Sequence, residues 1–202
     1  MLRHLRVFPR SLRGTCDAKT CAAASSVTAI GNGWDGAPVG CDQAGATAWK
    51  TIILGNYRTA YALRDALHQQ PIWIGDLAAE MLRLPTFTLV SADTSIDLAV
   101  VAVSQLGLGL SHASFAEIHA HAMELGLGLC PPEVGPQLRL QYLDQKAGEY
   151  LLIGMQALPT ASGTDACFVI GNGGAGLLII GRSAEADLTV PSRSRFVFAL
   201  RR

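Results

Sequence analysis

LCPPEVGPQLRLQYLDQKAGE, residues Leu129–Glu149, carries three prolines, a polar–apolar alternation and a turn signal. Pro131, Pro132, Gly135 and Pro136 make its first part rigid. From Gln137 to Leu143 polar and apolar residues alternate, which predicts a strand. Asp144–Gly148 reads as a turn and Glu149–Ala157 as the returning strand. That hairpin sets Gln141 opposite Leu151, Arg139 opposite Ile153 and Gln137 opposite Met155. Leu138, Leu140, Tyr142, Tyr150 and Leu152 then face the core.

The opposite face would hold an arginine and two amides beside apolar neighbours. Arg139 suits a carboxylate or phosphate held by a two-pronged contact, with Gln137 and Gln141 giving specificity and Glu133 at the mouth. The competing reading covers that face with a helix or a second chain and pairs Arg139 with Glu133 or Glu149. A slip of one residue would exchange the two faces.

Working outward, Trp49–Leu54 reads as a short strand closed by Gly55. Thr59 caps a helix to about Gln69, with Leu63, Ala66 and Leu67 on one face, and Pro71 stops it. A second helix spans Ile74 to about Leu84, with Ile74, Leu77, Ala78 and Met81 as its stripe. Phe87–Val90 reads as a strand. Asp97–Val103 fits either a buried strand or, through Thr94 and Asp97, a capped helix. Ser114 and Glu117 form a capping box for a helix over Phe115–Leu125, whose stripe is Phe115, Ile118, Ala122 and Leu125 and whose stop is Gly126. Strands follow at Cys167–Ile170, Leu177–Ile180 and Phe196–Leu200. Helices before strands, joined by hairpins, predict an α+β fold with N-terminal helices packed on a mainly antiparallel C-terminal sheet.

The chain has 202 residues, half of them apolar, and no formal net charge. It therefore has no global field to draw nucleic acid or an acidic membrane. No apolar run approaches the ~18 residues of a membrane span. Residues 1–48 place Arg3, Arg6, Arg10 and Arg13 before the first acid, Asp17, and then lose all periodicity. They read as a disordered or non-native extension; a targeting peptide and a structured subdomain are the competing readings. Residues 49–202 have a common single-domain length, and their two cysteines, Cys130 and Cys167, show no disulfide or zinc spacing, so they read as a single domain in a cytoplasmic protein.

Several motifs fail on their context. Gly171, Gly173 and Gly176 match GxGxxG after a strand, but another strand follows them, so they read as a hairpin turn. Gly31, Gly33 and Gly36 are a weaker match. No cofactor is expected. His119 and His121 point about 200° apart on a helix and make a poor metal pair. Cys130 has no local activating base, and Asp93 and Asp97 read as turn and capping residues.

The strings WKTIILG (Trp49–Gly55), ELGLGLCPPEVGPQLRLQYLDQ (Glu124–Gln145), GEYLLIGMQAL (Gly148–Leu158) and RFVFALR (Arg195–Arg201) resemble a family of small uncharacterised bacterial proteins. The resemblance covers about three quarters of the chain and implies a bacterial, cytoplasmic origin. It assigns no activity and so no catalytic residue.

The leading expectation is a non-catalytic ligand-binding or interaction domain that uses the face of Glu133, Gln137, Arg139 and Gln141. Its partner would be a small anionic ligand, a protein or a second copy of the chain. The alternative is a small hydrolase or transferase on the same face, with Cys130 or Glu133 reactive.

Overall fold

The computed structural model describes residues 47–109 and 111–201. The expectation for residues 1–48 lies, but for its last two positions, outside them. The described part is an α+β fold built on a large, curled, mixed sheet.

Strand β1 (Lys50–Leu54) leads to helix α1 (Ala60–His68), where the Thr59 hydroxyl accepts the Ala62 N–H as predicted. Leu63 and Leu67 are the buried side of α1. The predicted helix over 74–84 divides in two. Trp73–Ile74 form a short strand, β2, and helix α2 covers only Asp76–Met81. Strand β3 (Thr94–Ala102) resolves the ambiguous segment in favour of a strand. Its β-branched residues favour the pleat, and Asp97 accepts the Thr51 hydroxyl at 2.6 Å across the β1–β3 pair instead of capping a helix.

Strand β4 (His112–Ser114) runs into α3 (Phe115–Glu124), which starts with the expected reciprocal capping box of Ser114 and Glu117. The helix stops one residue earlier than predicted, and Leu125 is exposed instead of buried. Strand β5 is Leu127–Gly128.

The segment Val134–Gln141 is helix α4, which overturns the predicted strand. Pro136 lies in its first turn, where a missing N–H leaves no bond unmade. The pairing of residues 137–141 with 151–155 therefore does not exist. Strand β6 (Tyr150–Ile153) lies between β8 (Asp165–Gly173) and β11 (Arg195–Leu200), with Leu151 opposite Ile170 and Ile153 opposite Val197. Leu151, Leu152 and Ile153 are all buried, so Leu152 faces the core as predicted while the supposedly open side is covered too, and of β6 only Tyr150 leaves the predicted core set.

The remaining strands are β7 (Leu158–Pro159), β9 (Gly176–Ser183) and β10 (Thr189–Pro191). The main sheet runs β1-β3-β11-β6-β8-β9-β2, with β5 joined to β11 and β7 to β8; β4 and β10 form a separate ladder. The β11–β6 and β2–β9 pairs are parallel and the other main-sheet pairs are antiparallel. Helices are interleaved with the strands instead of preceding them. The β8–β9 hairpin turns at Gly173 and Gly176, so the glycine motif is a hairpin, as read. Among the described residues no helix is long and apolar enough to cross a membrane.

Helix α4 touches β1 near one end of the sheet and β8 and β9 near the other. Gly135 is what allows that approach to β8. A Cβ there would stand 2.7 Å from the Phe168 Cβ, too close for either atom without backbone movement. We expect Gly135→Ala to lower stability in urea unfolding, because overpacking of about 1–3 kcal/mol outweighs the roughly 1 kcal/mol that alanine adds to a helix. An unchanged or raised midpoint would show that α4 has room to move.

Candidate functional site: a buried polar seam and an open cationic cleft

Glu133, Gln137 and Gln141 are four residues apart and form one stripe along α4. Glu133 is fully buried, and its carboxylate accepts the Gly55 N–H at 2.8 Å, the Val90 N–H at 2.7 Å and the Gln137 side-chain amide at 2.8 Å. Val90 therefore gives its amide to a side chain, and the predicted strand over 87–90 does not form. Gln137 also donates to Asn56. Gln141 closes the outer edge of β1. Its side chain accepts the Ile53 N–H at 3.0 Å and donates to the Ile53 carbonyl at 2.8 Å. One amide thus occupies the two backbone groups that a neighbouring strand would use.

Arg139 lies on another side of α4 and is fully buried. Its guanidinium donates to the carbonyls of Tyr142 and Gly171 and to the Gln145 side chain. Nε finds no acceptor among the described residues. Burial pulls the Arg139 pKa down to about 10, while Tyr142 and the Glu149 carboxylate oppose the fall, so the group stays cationic at neutral pH. Glu149 is not its direct partner. That carboxylate accepts Arg195 at 2.7 Å and the Tyr142 hydroxyl at 2.8 Å. Burial and Glu149 push the Tyr142 phenol up, which keeps it a donor.

The four residues expected to form an open ligand face are thus brought together on a helix, with Glu133, Gln137 and Arg139 inside the protein and Gln141 half-buried. The open strand face does not exist. The competing pairing of Arg139 with Glu133 or Glu149 is not formed either; backbone carbonyls and Gln145 take the charge.

The reactive candidates are enclosed as well. Cys130 is buried and sits near the Val197 carbonyl, and burial pushes its thiol up. Burial raises Cys167 to about 12. Neither supplies a thiolate at neutral pH. His119 is half-buried between the rings of Phe115 and Phe198, and desolvation lowers its pKa. His121 turns instead towards Glu124, 3.4 Å away, so the two histidines do not share a face. Asp93 lies 3.7 Å from Arg58. Among the described residues no group of three or more His, Cys, Asp or Glu is placed to hold a metal.

An open cleft of about 240 Å³ lies between α1 and α2. Tyr61, Arg64 and His68 reach it from one face of α1, beside that of the buried Leu63 and Leu67. Ile74, Ala79 and Leu82 give it apolar lining, and Arg83, two residues past the end of α2, lines it as well. Arg64 lies 5.8 Å from the centre of the Tyr61 ring. Neither Arg64 nor Arg83 is in an ion pair among the described residues. Asp65, the acid on the same wall, accepts the Gln69 amide at 2.7 Å. The 61/64/68 spacing is visible in the sequence once α1 is drawn. Arg83 is not, because only the packing of α2 brings it there.

Comparison with protein-family models, curated proteins and solved structures finds no match to this chain.

The seam has a direct test. Arg139→Met keeps an apolar side chain of similar length but leaves two carbonyls and Gln145 without their donor. We expect it to cost about 3 kcal/mol or more in equilibrium unfolding. Stability within about 0.5 kcal/mol of the parent, the range of an ordinary surface change, would return Arg139 to the list of surface residues.

Proposed function

We propose that this is a non-catalytic domain that binds a small anionic ligand, and that the ligand sits in the α1–α2 cleft instead of on the face of Glu133, Gln137, Arg139 and Gln141. The observation that carries this reading is that Arg64, Arg83 and His68 line one concave surface, with neither arginine in an ion pair among the described residues. Guanidinium groups without a carboxylate partner are suited to an incoming oxyanion, and a concave wall strengthens their field. Ile74, Ala79 and Leu82 add apolar surface for the rest of the ligand. The cleft is smaller than the roughly 300–1,000 Å³ usual for drug-sized ligands, so the ligand is small.

The non-catalytic part of the reading is supported by the state of the reactive groups. The buried thiols are held protonated, and the Glu133 carboxylate is occupied by three donors.

Thermal unfolding in the presence of small oxyanions at constant ionic strength tests the proposal. At least one anion should raise the Tm of the parent saturably, through binding to the folded state. The Arg64→Ala/Arg83→Ala double variant should fold but lose that rise, and the anion should be recovered unchanged. A double variant that responds like the parent, or a ligand that is consumed, would overturn the reading.

A further inference from the structure

We infer that His119 is an acid-operated latch: the neutral imidazole holds helix α3 against β11, and a proton on it releases the helix. The ring lies between Phe115, one helical turn earlier on α3, and Phe198 of β11, with centroids 6.2 Å and 6.3 Å away and planes nearly perpendicular. Phe115 meets Phe196 edge-on at 5.7 Å, and Phe196 stacks on Phe198 at 5.9 Å, all three rings being buried. The His119 Nε2 atom is enclosed there and has no hydrogen-bond partner among the described residues. A neutral imidazole fits that place, because its bare nitrogen can turn inward. An imidazolium carries N–H on both nitrogens, so one donor of a charged group would be enclosed with no acceptor. The phenyl rings give little in return, since their centroids lie just beyond the roughly 6 Å over which a ring attracts a cation.

No neighbouring charge offsets that cost. Besides β11, α3 packs on β4, β5 and the 3-10 turn Val103–Leu106. β4 carries His112, and β11 carries Arg195, which is held by Glu149. β5 and the 3-10 turn carry no titratable group. Arg201 follows β11, and Glu185 and Asp187 lie in the segment whose carbonyls accept the Phe115 and Ala116 amides. On α3 itself are Glu117, His121 and Glu124, and His121 turns towards Glu124. Desolvation lowers the His119 pKa, and none of these groups opposes it. The packed ring therefore binds fewer protons than a released one. Its contribution to stability is full above the ordinary imidazole value of about 6.5 and is lost as the pH falls below it.

The experiment is native-state hydrogen exchange of the full chain at pH 7.5 and 5.5, read as protection factors. Central α3 amides should lose about tenfold protection at the lower pH, the change expected for a group of pKa about 6.5 that charges only when released. The amides of β8 should not share that loss. Glu117, held below the usual carboxylate range by its hydrogen bonds from Ser114, stays charged across this window and keeps the helix cap. His119→Phe, which keeps a ring but cannot charge, should abolish the loss, and His121→Gln should preserve it. Unchanged α3 protection in the parent, an equal loss in β8, or a loss that survives in His119→Phe would overturn the latch. An NMR titration of the His119 ring in the parent needs no variant. The ring should charge below pH 6.5, and charging at or above that value would also overturn the latch.

Discussion

The Glu133 carboxylate joins three parts of the chain that are far apart in sequence: Gly55 at the end of β1, Val90 in the segment before β3, and α4 itself through Gln137. Withdrawing a carboxylate from water costs several kcal/mol unless its lone pairs are filled. Here charge-assisted bonds from two backbone amides and one side-chain amide fill them. Once Glu133 is held, its helix follows. Gln137 and Gln141 come one turn apart along the same stripe, and Gln141 reaches the outer edge of β1 at Ile53. Gly55, with φ of +78° and a backbone carbonyl of Ala92 against its missing Cβ, brings the chain close enough for its amide to reach the carboxylate.

Arg139 makes the corresponding connection elsewhere on the helix, to the β8 carbonyl of Gly171 and to the turn that follows α4. Tyr142, Glu149 and Arg195 extend that network to β11. The segment with the densest chemistry is therefore spent on holding the curled sheet around α4. The proposed ligand site is a surface with simpler chemistry, where two arginines line a small cleft and none of the described acids pairs with them. The division is physically reasonable. Buried ionised groups are useful for specifying one packing, whereas solvated guanidiniums keep their capacity for a ligand.

The parts of the fold legible in the sequence were those set by local chemistry. The Thr59 cap, the Ser114–Glu117 box, the β8–β9 glycine hairpin and the β11 strand all depend on residues close together in the chain. The misread segment, 134–141, satisfies two periods at once. Residues 137, 139 and 141 alternate with apolar neighbours, while 133, 137 and 141 also repeat at the helical spacing. Over eight residues neither pattern excludes the other. What decides is distant: the donors of Gly55 and Val90, which only the folded sheet supplies. The cleft was half legible for the same reason, since the α1 stripe is local and Arg83 arrives through tertiary packing.

Native-state hydrogen exchange at the Gly55 and Val90 amides tests the central role of Glu133 most directly. In the fold described, both amides bond to the Glu133 carboxylate. The account predicts that both exchange as slowly as the central amides of β3 and that Glu133→Gln releases the two together. Exchange at the rate of exposed loop amides in the parent protein would contradict it.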